Sequence, residues 1–161
     1  GRTIIPLEWD QTSTLNATVF IGSGNWGIDF LMQFGSGYPY TPEFISSSNT
    51  GQSIANILIR NSRRKQPTLN FDMKAYKNVT LLNEIESRIF LNIYNLFDRR
   101  NEVGIWADTG RANKTYYERQ AIELEANHFE PLRPNEISDY FIHPEWYSPP
   151  REIQFGVELS W

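Results

Sequence analysis

One pattern constrains this chain more than any other: apolar residues recur at every second position over five stretches of about ten residues. Leu15, Ala17, Val19 and Ile21 share one side, with Asn16 and Thr18 opposite. Trp26, Ile28, Phe30, Met32 and Phe34 alternate with Gly27, Asp29, Gln33 and Gly35. Leu69, Phe71, Met73 and Ala75 alternate with Asn70, Asp72, Lys74 and Tyr76, and Ile89, Leu91 and Ile93 with Arg88, Phe90, Asn92 and Tyr94. Ile153, Phe155, Val157, Leu159 and Trp161 close the series, against Glu152, Gln154, Gly156, Glu158 and Ser160. A period of two belongs to strands with two different faces, so the chain is predicted to be all-β, with five long strands.

The segments between strands are unequal. Gly22–Asn25 and Lys77–Glu84 are short, whereas Gly37–Gln66 and Asp98–Pro149 are long and rich in Ser, Asn, Pro and charge. Short and long connections therefore alternate. In an antiparallel meander this places tight turns at one end and large loops at the other, as in an outer-membrane barrel with short periplasmic turns and long outer loops. Ten residues at about 3.3 Å each, tilted near 40°, rise about 25 Å, the height of an apolar membrane band. Asp29, Asp72, Lys74, Arg88, Glu152 and Glu158 on the polar face require water or an equally polar partner. A soluble antiparallel sheet with one dry face produces the same alternation, and loop asymmetry favours the membrane barrel over it. Trp161 on the apolar face suits the membrane–water interface, where ring and N–H both find partners.

Composition removes other classes. No run of 18 apolar residues exists, which excludes a helical span. A net charge of −4 argues against nucleic acid as a partner. Without Cys there is no disulfide framework, thiolate nucleophile or zinc–thiolate site. No secretion signal opens at Gly1, so an exported chain would carry its signal elsewhere.

Several segments, in order, resemble one family. Pro6-Leu7-Glu8-Trp9-Asp10-Gln11-Thr12-Ser13-Thr14-Leu15-Asn16 resembles its P-x-x-W-D-Q-x-H-x-L-N lead into a barrel strand, with Ser13 in place of His. Ser36-Gly37-Tyr38-Pro39-Tyr40-Thr41-Pro42 resembles its S-G-x-P-Y-T-P strand exit. Asn95-Leu96-Phe97-Asp98-Arg99 resembles N-L-F-D-R, and Thr109-Gly110-Arg111 the T-G-R loop. Pro150-Arg151 leading to Gly156 and Trp161 resembles the closing P-R-x-x-x-x-G-x-x-x-x-F strand, with Trp for Phe. The family is that of the TonB-dependent outer-membrane receptors, and the resemblance is to their C-terminal barrel strands.

That resemblance implies a 22-stranded barrel occluded by an N-terminal plug. Such a barrel imports a scarce nutrient (a metal chelate, cobalamin or an oligosaccharide) under drive from the TonB complex. It implies that Phe155, Val157, Leu159 and Trp161 form the signal read by the barrel-assembly machinery. It also implies outer-membrane lipid, lipopolysaccharide and the remaining strands and plug as partners. The sequence carries no plug and no TonB-contacting box, and five strands leave two open edges that lipid cannot satisfy. Residues 1–161 are therefore expected to be one piece of a barrel, inactive alone. The alternatives are a soluble β-sandwich binding module and a passive self-associated barrel.

Candidate sites are few. Trp106, Tyr116 and Tyr117 in the second long loop are candidate stacking residues for a ligand, while Tyr38 and Tyr40 fit loop packing or an interfacial belt better. Arg60, Arg63, Arg64 and Lys65 read as a solvated basic run, with lipopolysaccharide or an anionic ligand as the other reading. His128 and His143 lie near Glu123, Glu125, Glu130, Asp139 and Glu145, but without ligand spacing, so no metal or cofactor is expected. Asn16, Asn78 and Asn113 match the glycosylation sequon by chance. Nothing supports an enzyme. Glu118–Asn127 is predicted to form a short helix.

Overall fold

A computed structural model describes residues 4–43, 60–81, 85–126 and 136–160. The chain divides into two compact units. The first is an antiparallel sheet drawn from Ser13–Gly35, Thr68–Arg100 and Pro149–Trp161. Its strands are β1 (Thr14–Ser23), β2 (Trp26–Gly35), β5 (Thr68–Leu81), β6 (Ile85–Tyr94) and β7 (Glu152–Ser160), ordered β1-β2-β5-β6-β7. Two residues, Pro39–Tyr40 (β3), pair with Arg63–Arg64 (β4) in a separate small ladder. The fold is thus mostly antiparallel sheet, as the alternation requires, and the large sheet is an open meander.

Register decides what the alternation accomplishes. Directly paired residues in antiparallel strands point to the same side. Val19 pairs with Phe30, Phe30 with Met73, Met73 with Ile93 and Ile93 with Ile153. All five apolar faces therefore coincide. The opposite side aligns Asp29 with Lys74 and Arg88 with Glu158, and Arg88 Nε donates to Asn78 Oδ1 at 3.0 Å.

Among the described residues the apolar side is exposed. Phe155 is 71% exposed, Ile153 60% and Val19 53%, and Ala112 is the one buried apolar residue among those described. At about 4.8 Å per strand and 3.3 Å per residue, the apolar face measures roughly 19 by 33 Å. That equals or exceeds the largest apolar patch, about 300–600 Å², on an ordinary soluble monomer.

Three sequence-based boundaries move. The β1–β2 turn shrinks to Gly24-Asn25, because Gly22 and Ser23 still pair with Gly27 and Trp26. The supposed Lys77–Glu84 link is mostly strand: Lys77–Leu81 pair with Ile85–Ile89, and residues 82–84 lie outside the described ones. Polar cross-strand partners, Asn78 with Arg88 and Thr80 with Glu86, hold this stretch although it lacks a strong apolar signal. The helix α1 spans Tyr116–Ala126, two residues earlier than expected, and Asn127 falls outside the described residues.

The second unit comprises Gly1–Thr12, Ser36–Pro67 and Asn101–Ser148. It contains the β3–β4 ladder, α1 and two 3-10 turns at Ile137–Phe141 and Pro144–Trp146. The long connections are therefore not plain loops.

Candidate functional site

The segments that carry the family resemblance prove to be fasteners. In the sheet unit, Asn95 follows β6 with φ +53° and is 9% exposed. Its Nδ2 donates to the carbonyls of Arg99 and Pro149, both at 3.0 Å, and its Oδ1 accepts from Arg99 N at 2.9 Å. Its own N–H donates to Asp72 Oδ1 at 2.9 Å. Asp98 Oδ1 accepts from Arg151 N at 2.9 Å. Asn95 and Asp98 thus tie the end of β6 to the start of β7, closing the base of a connection more than fifty residues long.

In the other unit, Asn61 Nδ2 donates to the Pro6 carbonyl at 2.7 Å, and Gln11 Nε2 to Ser36 O at 3.0 Å. Arg64 donates to Asp10 Oδ2 at 2.7 Å and to the carbonyls of Asp10 and Gly37. Gly37 lies so near Lys65 that a Cβ would sit 1.7 Å from its carbonyl oxygen, which only glycine permits. Arg60 pairs with Glu8 at 2.9 Å, and Lys65 Nζ donates to Val103 O at 3.0 Å. Arg60, Arg64 and Lys65 are engaged with their own chain, while Arg60, Arg63 and Arg64 stay exposed, as a solvated run requires. Their partners lie 27 to 54 residues away, beyond the reach of any local pattern.

Around Thr109-Gly110-Arg111, Glu102 accepts from Arg111 Nε and Nη2 at 2.9–3.1 Å and from Ala112 N at 3.1 Å. Hydrogen bonding to Glu102, then its charge, raises the Arg111 pKa further above its ordinary value. Gly110 takes φ +72° against the Tyr40 hydroxyl, a conformation glycine adopts without steric cost. Asp108 Oδ2 accepts from the Thr115 hydroxyl at 2.7 Å and from Tyr116 N at 2.6 Å, which caps α1.

The three candidate ligand residues separate in role. Trp106 belongs to an aromatic cluster, its ring centroid 5.0 Å from Trp146, 5.3 Å from His143 and 5.8 Å from Phe141. Trp106 is half-buried within that cluster. Tyr116 and Tyr117, 55% and 42% exposed, stand on the first turn of α1 and remain accessible. A cleft of about 540 Å³, which sequence reading did not find, lies between Glu8, Trp9, Tyr38, Tyr40, Asn61 and Lys65. Tyr38 and Tyr40 line it. Their aromatic character was the one available signal, because Trp9 and Asn61 arrive from distant segments.

His143 Nδ1 lies 2.8 Å from Glu145 Oε1 and stacks on Trp146 at 4.3 Å. The Glu145 carboxyl is held below its usual range, first by a main-chain hydrogen bond and then by His143. His128 and Glu130 lie outside the described residues, as does the side chain of Glu125. Among the described residues no three of His, Cys, Asp and Glu gather as a metal-binding group.

Of the assembly-signal residues, Phe155, Val157 and Leu159 lie on the exposed apolar face of β7, and Trp161 lies outside the described residues. No protein-family model, curated protein or solved structure matches the chain.

Proposed function

We propose that this chain is part of the wall of a TonB-dependent outer-membrane receptor, supplying C-terminal strands of a barrel that imports a scarce nutrient: a metal chelate, cobalamin or an oligosaccharide. Import requires the other strands and the plug, through which the TonB complex acts. β7 serves as the strand read by the barrel-assembly machinery. The observation that carries this reading is the common register of five apolar faces, uncovered on one side and backed by charge on the other. A soluble sandwich would bury that apolar side against a second sheet. Lipid outside and water inside a barrel satisfy both sides at once. The segregation of tight turns and long connections at opposite ends, and the ordered family-like segments, support it further.

Because the chain has no cysteine, single cysteines report each face without background. Introduced at Val19, Phe30 or Phe155 in vesicle-reconstituted protein, they should react with a water-soluble maleimide at least about tenfold more slowly than cysteines at Asn16, Lys74 or Glu158. Equal reactivity of the two sets would overturn the reading. So would a monodisperse monomer in plain buffer with the apolar-side cysteines already protected, the result expected of a soluble sandwich.

A further inference from the structure

The apolar face is not uniform. Across β2, β5, β6 and β7, one row reads Ile28, Ala75, Leu91, Phe155 in direct register. Ala75 is short between Ile28 and Leu91, and a hollow of about 400 Å³ opens there, bounded also by Trp26 and Lys77. In the next row on the same side, Trp26 pairs with Lys77 and Lys77 with Ile89. Lys77 is the one charged residue on the apolar side of the described strands, and it is exposed. No hydrogen bond or ion pair holds its ammonium among the described residues. Trp26 directly follows the Gly24-Asn25 turn, so this row marks the tight-turn end of the β1–β2 hairpin.

An unneutralised ammonium beside a dry hollow is costly unless an anion meets it where the apolar surface ends. A lysine stem can lie along apolar surface while its head reaches that boundary, and an indole favours the same level. We propose that this hollow seats one glycerophospholipid of the surrounding leaflet, an acyl chain over Ala75 and the headgroup phosphate on Lys77. The site rests on the lipid-facing reading of the sheet. It adds a fixed position, a single lipid and a headgroup contact to what would otherwise be solvent-like lipid around a barrel.

Trp26 supplies the readout. Its fluorescence, isolated by subtracting the Trp26→Phe variant, is followed in phosphatidylcholine vesicles doped with brominated phosphatidylglycerol or with an equally brominated diacylglycerol that lacks phosphate. The phosphate-bearing lipid should quench about fivefold more effectively, the order expected for one lysine at a lipid surface. Lys77→Gln should abolish that preference with unchanged far-ultraviolet circular dichroism, and Lys77→Arg should retain it. An identical preference in the parent and Lys77→Gln would overturn the phosphate site while leaving the lipid-facing reading intact. Absence of quenching by either lipid would overturn both.

Discussion

Asn95 concentrates the residue-scale logic of the protein. It occupies left-handed backbone space, which Asn tolerates better than most residues, and it spends its whole amide on the chain segments around it. Asn95→Ala would remove three hydrogen bonds and leave the Arg99 and Pro149 carbonyls short of a donor, at a cost of about 2–3 kcal/mol. Asn95→Gly keeps the backbone conformation and should lose the hydrogen bonds alone. The expected outcome is faster proteolysis between residues 101 and 148 in both variants, more so in Asn95→Ala. Equal resistance in the parent and Asn95→Ala would count against the fastening role. The sequence places Asn95 in a recognisable segment but not its task, because Pro149 is 54 positions away.

At the scale of elements, α1 shows how little of a helix local sequence fixes. Ile122 and Leu124 are 47% and 59% exposed, so packing of an apolar stripe contributes little. Its start instead depends on Thr115, whose Oγ accepts the Tyr117 N–H at 3.2 Å, and on Asp108, which receives both the Thr115 hydroxyl and the Tyr116 N–H. Asp108→Ala should weaken the helix by about 1 kcal/mol or more, since it removes a cap and strands a buried hydroxyl. Amide hydrogen exchange over residues 116–126 should quicken several-fold, and unchanged exchange would refute the cap. Sequence propensity found the helix but started it two residues late, because Tyr116 and Tyr117 are weaker helix formers than Glu118 onward and only the caps at Thr115 and Asp108 carry the helix back to them. Strand ends behave alike: β5 continues through Lys77–Leu81 because its partner β6 offers matching polar groups there, which no single-strand pattern reveals.

For the whole molecule, strand count and direction set the terms of closure. In a five-stranded antiparallel meander, β1 and β7 run the same way. Joining those two edges directly would require a parallel ladder, so an all-antiparallel barrel needs an odd number of further strands between them. Cysteines placed together at Val19 on β1 and Val157 on β7 should therefore not form a disulfide within one chain in detergent. Rapid intrachain cross-linking would show that the sheet closes on itself and would count against completion by other strands.

Alternation by itself determined that the chain is all-β and which residues of each strand share a side, because a pleated backbone turns successive side chains to opposite faces whatever lies beside it. The resemblance of ordered short segments also needed nothing beyond the chain. Tertiary structure alone decided that the five apolar faces coincide, since register is a relation between strands and a shift of one residue would reverse a face. It alone tied Arg60, Arg64 and Lys65 of the basic run to distant segments, drew Trp106 into an aromatic cluster and left Lys77 solitary beside a hollow. Each of those outcomes depends on partners from other strands or distant segments, and linear order does not say which distant groups will meet.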